Sequence, residues 1–167
     1  MAGEAAALSG LATVTLGRGD AAGARALFEQ ALEIERRAGD RAGEAEILHA
    51  LALVAIGDRD YSSAFHKMLD ALAVRREVDD VKGEALSFYD LALLAHKVGR
   101  EAQAWHLGAL SFILECRARR STNSIALLAK LASQLRCAMG DIMDVLVEAN
   151  EAYEADKGEG LARSALR

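Results

Sequence analysis

The chain repeats itself every 40 residues. Gly3-Glu4-Ala5 returns as Gly43-Glu44-Ala45 and again as Gly83-Glu84-Ala85. A Leu-Ala pair keeps the same interval at Leu11-Ala12, Leu51-Ala52, Leu91-Ala92 and Leu131-Ala132, as does an alanine at Ala24, Ala64 and Ala104. A fixed period of this length is the mark of a solenoid, whose units bury their apolar surface only by stacking on neighbours. The 167 residues hold about four such units.

Within each unit the apolar residues recur at i, i+3, i+4 and i+7, and no segment alternates with a period of two, so the units are helical. In the second unit Ala45, Leu48, Leu51, Ala52 and Ala55 form one stripe. After Gly57-Asp58-Arg59-Asp60 comes another, of Tyr61, Ala64, Phe65, Met68, Leu69 and Leu72. Proline is absent, so turns fall to Gly and Asp. Gly supplies the left-handed residue that ends a helix, while Asp20, Asp60 and Asp141, with Asp40, Asp80 and Ser121 at unit boundaries, cap the next. The predicted helices run from about 3 to 17, 20 to 38, 41 to 57, 60 to 78, 81 to 98, 100 to 117, 122 to 138 and 141 to 156, with a stub from 159 to 166. Arg36-Arg37, Arg75-Arg76 and Arg117 with Arg119-Arg120 fall at helix C-termini, where the dipole favours cations, and are expected to be solvated.

Hydrophobic residues make up 52% of the chain and aromatic ones 5%, so the core is built from Ala, Leu, Ile and Val. A net charge of −5 argues against a general nucleic-acid or anionic-membrane binder. No apolar run reaches the roughly 18 residues of a membrane span, and the start lacks a basic stretch followed by an apolar one, so no secretory signal is expected. Cys116 and Cys137, near the ends of successive helices, are separated by roughly 20 Å, too far for a disulfide. They are expected as reduced, small buried hydrophobes in a cytoplasmic setting.

These spacings resemble the tetratricopeptide repeat. The pattern is carried by Leu8, Leu11, Ala12, Ala24, Phe28 and Ala31 in the first unit, and by Leu48, Leu51, Ala52, Ala64, Met68 and Ala71 in the second. In the third it is carried by Phe88, Leu91, Ala92, Ala104, Gly108 and Ser111. The fourth supplies Leu128, Leu131 and Ala132, then Ala149 and Ala152 after a one-residue insertion. The 40-residue unit resembles the long-helix variant found in sensor regions of large bacterial transcription regulators. The resemblance implies an all-α, right-handed superhelix of antiparallel helix pairs. It would form a single domain, 1–167, with units at about 5–44, 45–84, 85–124 and 125–160 and the terminal stub.

The resemblance also implies a non-catalytic scaffold that binds a protein or peptide in a concave groove lined by the first helix of each pair. Projected onto this chain, the groove takes Glu46, His49, Leu53, Leu86, Tyr89, Leu93, His96, Lys97, Ser133 and Arg136, an apolar strip with donors and charge at its sides. The Lys and Asn pattern of modules that clamp a chaperone's C-terminal carboxylates is missing. Apolar residues at both ends of the chain point to self-association through terminal helices, or to a place within a larger protein. One alternative is a ligand-sensing regulatory region of a transcription regulator. Another, from a different class, is a helical enzyme using His49, His96 or Cys137. No His pair has the i, i+4 spacing of a helical zinc site, no phosphate-loop glycine pattern occurs, and no base is aimed at either cysteine, so no cofactor, metal or catalytic residue is expected.

Overall fold

Every twentieth residue from 20 to 80 is an aspartate, and each opens a helix in the computed structural model, which describes residues 2–118 and 124–165. Oδ1 of Asp20, Asp40, Asp60 and Asp80 accepts the backbone N–H three residues on, at 2.8, 2.9, 3.1 and 3.0 Å. A helix begins with four N–H groups that lack internal partners, and this bond satisfies one of them. The residue before each cap has a positive φ, which turns the chain out of the preceding helix. Gly19 and Gly39 hold it at 88° and 73°, whereas Arg59 and Asp79 hold it at 61° and 52° without glycine's freedom. The beat therefore runs at 20 residues, one helix and one turn, beneath the 40-residue period of the side chains. Asp141 departs from the expected role: it is the third residue of its helix and accepts from Ala138 N–H, at 2.6 Å. Ser121 lies outside the described residues.

Two compact units result, Met1–Asp79 and Asp80–Arg167. The first holds α1 (Ala2–Gly17), α2 (Ala21–Ala38), α3 (Arg41–Gly57) and α4 (Tyr61–Glu77). Each helix packs on the next in sequence, so the two- and three-residue turns make antiparallel neighbours. Ala5, Ala12, Ala24, Ala31 and Ala64 are fully buried, and their small side chains let the helices close up around Phe28, Leu48, Leu51 and Met68.

The Gly-Glu-Ala phrase has a physical meaning in the second hairpin. Gly43 donates its N–H to the Asp40 cap, and a Cβ there would stand 2.9 Å from Cδ of Glu35. Glu44, buried, accepts Arg36 Nε at 2.8 Å and a second guanidinium bond from Arg41, which also bridges to Glu77. Ala45 packs into the hairpin. The expectation of solvated arginines holds at Arg36, Arg37 and Arg117, which are exposed, and fails at Arg75, while Arg119 and Arg120 lie outside the described residues. Arg36 pairs with a buried carboxylate, and Arg75 is itself buried.

The second unit holds α5 (Val81–Lys97), α6 (Glu101–Arg117), α7 (Ser124–Leu135), α8 (Met139–Asp156) and α9 (Glu159–Ser164). α5 pairs with α6, and α7, α8 and α9 all pack on α6. Gly108 takes the place of Phe28 and Met68, and Leu128 of α7 fills the space, its Cδ2 3.2 Å from where a Cβ would lie. Ser111 Oγ donates to the Ala85 carbonyl at 2.9 Å, so Ser124, whose Oγ is 2.6 Å away, donates to Ser111. The Tyr153 hydroxyl reaches Glu84 at 3.4 Å, and Arg100 donates to the Ala165 carbonyl.

Among the described residues there is no strand, and the consecutive pairs make the helical-repeat architecture expected of a solenoid. The cysteines do not follow expectation. Cys116 is exposed and Cys137 half-buried, both as free thiols. Cys116 falls on the outer side of the last turn of α6, and Cys137 falls beyond α7, which stops at Leu135 rather than near 138.

Candidate functional site

α3 is held between α2 and α4 and keeps one side open. In α3, burial of Ile47, Leu48, Leu51, Ala52, Val54 and Ala55 leaves Glu46, His49 and Leu53 together on the other side, at i, i+3 and i+7. Leu53 is 46% exposed, although it is a large apolar side chain on a rigid helix. His49 is half-buried. Burial first, and then the positive charge of Arg75, lower its pKa to about 4. At neutral pH the ring thus carries no charge.

In α5 the open side carries Leu86, Tyr89, Leu93, His96 and Lys97, at i, i+3, i+7, i+10 and i+11, again one helical face. Leu86 is 42% and Leu93 38% exposed, Tyr89 and His96 are half-buried, and Lys97 is exposed. Nδ1 of His96 lies 2.8 Å from Oε2 of Glu101, so the first residue of α6 holds that ring in place. Ser133 is exposed on α7. Arg136 is exposed beyond the end of α7, with a φ of 53°, so it leaves the helical face on which the repeat pattern placed it.

No group of three His, Cys, Asp or Glu among the described residues is placed to hold a metal ion. His66 and His106 make the same contact one unit apart, each Nδ1 donating to the carbonyl four residues back, Ser62 or Ala102, at 2.8 Å. Among the described residues no helix is long and apolar enough to cross a membrane.

Several open apolar positions fall outside the projected groove. Leu11 and Val14 of α1 are 53% and 52% exposed, and Met143 and Val147 of α8 are 56% and 53% exposed. The repeat pattern places Leu11 in the core because its equivalents Leu51 and Leu91 are core residues. The missed signal was the composition of α1 itself, with Gly3, Gly10 and Gly17 running along one side of it.

Residues 3–77 match the family model of the tetratricopeptide repeat, a stretch that lies within the first compact unit. Comparison with curated proteins gives no match. Tetratricopeptide repeats generally mediate protein–protein interaction and are typically non-catalytic.

Proposed function

We propose that this chain is a non-catalytic scaffold of helical repeats that binds an extended peptide or a helix of a partner protein along the open sides of its first helices. Leu53, Leu86 and Leu93 supply apolar anchors. Glu46, His49, Tyr89, His96, Lys97, Ser133 and Arg136 supply hydrogen bonds and charge around them. The observation that carries the reading is the exposure of those three leucines, each on a helix whose opposite side is tightly packed. Apolar side chains on the open side of a helix, edged by polar ones, suit a partner that adds its own apolar residues against them. The same reading includes association between copies of the chain through a terminal helix.

A displayed peptide library selected on the wild-type chain supplies ligands for the test. Leu53→Glu and Leu93→Glu change exposed positions and should leave the helical spectrum intact. Each should weaken the selected peptides by about tenfold or more in calorimetric titration. Glu29→Lys, on the exposed side of α2, should leave binding unchanged. Peptides that hold both leucine variants as tightly as wild type would place the contact elsewhere and overturn the reading.

A further inference from the structure

The outer side of α1 has the chemistry of a buried face. Between Gly3 and Gly17 its exposed residues are Gly3, Glu4, Ala6, Ala7, Gly10, Leu11, Thr13, Val14 and Gly17, with one charge among them. A helix that is apolar on all sides is ordinarily a covered helix. Ala7, Leu11 and Val14 correspond, 40 residues on, to Ile47, Leu51 and Val54, which are 4%, 1% and 1% exposed in α3, the helix on which α2 packs. α1 carries the same stacking face, and in α1 it is exposed.

The glycines supply a second, independent observation. A Cβ at Gly3, Gly10 or Gly17 would meet nothing within 4 Å, so packing inside the chain does not require them. Gly10, in the middle of α1, nevertheless lowers helix stability by about 0.5–1 kcal/mol relative to alanine. The three glycines fall seven residues apart, in a row beside Ala7 and Val14, where they let another backbone come close. A parallel row, also at sevens, is Glu4, Leu11 and Arg18, with an acid at one end and a base at the other. Two adjacent rows at a spacing of seven, with Ala7 and Val14 between them, form the seam of a paired helix.

We propose that this face binds a second copy of the chain, α1 against α1, antiparallel about a twofold axis near Gly10 and Leu11. The inference rests on the self-association within the function proposed above and gives it a surface and a direction. In this arrangement Val14 meets Ala7 of the second copy, and Glu4 comes within a helical turn of the second copy's Arg18, twice by symmetry. A parallel pair would set Glu4 against Glu4 and Arg18 against Arg18. Stacking α1 on the exposed stripe of α8 in another copy would bring Glu4 to a helix edged by Asp144, Glu148 and Glu151. Charge therefore selects the antiparallel pair.

Sedimentation equilibrium of the full chain over a concentration series is the first test, and dimers are expected. Gly10→Glu keeps the fold, since the new side chain enters open space, and should weaken the dimer at least about tenfold with an unchanged helical spectrum. Glu4→Arg should weaken it too, and adding Arg18→Glu to Glu4→Arg should restore it. A wild-type chain that stays monomeric throughout would overturn both this inference and self-association. A dimer indifferent to Gly10→Glu but dissociated by Val147→Glu would overturn the α1 pairing alone, leaving self-association standing through α8.

Discussion

Gly39 and Asp79 occupy the same turn in successive hairpins, and both hold a positive φ, 73° for the glycine and 52° for the aspartate. A side chain in that conformation crowds its own carbonyl, at roughly 1–2 kcal/mol, and glycine avoids the crowding but loses more freedom on folding. Asp79→Gly should therefore stabilise the chain modestly, raising the melting temperature by about 1–3 °C. Arg59→Gly, at φ 61°, should act in the same direction. Calorimetry of the two single variants and the double variant checks the expectation. A fall in melting temperature for both would mean that Arg59 and Asp79 make contacts outweighing their backbone strain.

His49 should make stability depend on pH in a defined window. Its folded-state pKa is about 4 against an ordinary value of 6.5, the difference arising from burial and then from Arg75. Above pH 6.5 the ring is neutral in both states and the effect is nil. As pH falls from 6.5 towards 4, the unfolded chain takes up a proton that the folded chain refuses, so stability drops and then levels off. The full shift corresponds to about 3 kcal/mol, which partial exposure of the ring reduces to about 1–2 kcal/mol. Urea unfolding of wild type and His49→Gln at several pH values should show the variant with a shallower decline across that window. Parallel curves would remove His49 as the source.

The regular part of the fold was legible because it rests on local rules. Apolar periodicity, an aspartate before α2, α3, α4 and α5, and small residues at matched places gave the nine helices found among the described residues, with boundaries shifted by at most about three residues. The same rules misplaced what depends on neighbours. Leu11 reads as core because Leu51 and Leu91 are core, yet position in the repeat says nothing about whether another helix lies on top. Arg75 reads as a solvated helix end, yet it is buried. The candidate faces followed the repeat where helices kept their length and lost it at Arg136, where α7 ends early. His49 was legible as a residue on the open side of α3, but its lowered pKa was not, since that comes first from burial and then from Arg75, 26 residues away in sequence.

Gly158 is a position where glycine is demanded twice. Its φ is 72°, and a Cβ there would stand 2.7 Å from Leu110 Cδ1 and 3.2 Å from the Phe88 ring. Gly158→Ala combines backbone strain with overpacking, a loss of about 2–4 kcal/mol. Gly140→Ala, where a Cβ meets nothing within 4 Å, should cost nothing and serves as the control. Unfolding followed by tyrosine and tryptophan fluorescence, with Tyr153 and Trp105 in the same unit, reports the difference. Equal stability of the two variants would mean that α9 does not stay packed on α6 in solution.

Ser111 and Ser124 place two hydroxyls in a site that solvent does not reach, 0% exposed in each case. The Ala85 carbonyl takes the Ser111 proton and Ser111 takes that of Ser124, so the pair is fully satisfied in only one direction. Ser111→Ala leaves both the Ala85 carbonyl and the Ser124 hydroxyl without this partner, and the expected cost is about 2–3 kcal/mol. Ser124→Ala removes a donor but leaves the Ser111–Ala85 bond intact, and should cost about 1 kcal/mol. Once Ser111 is gone, removing Ser124 deletes an unsatisfied hydroxyl. The double variant should then be no less stable than Ser111→Ala, and the two single effects should fall short of additivity by about 1 kcal/mol or more. Denaturant unfolding of the four proteins of this cycle measures that coupling. Strict additivity would show that the two hydroxyls do not share a bond in solution, and that α7 is held on α6 by Leu127 and Leu128 rather than by this polar link.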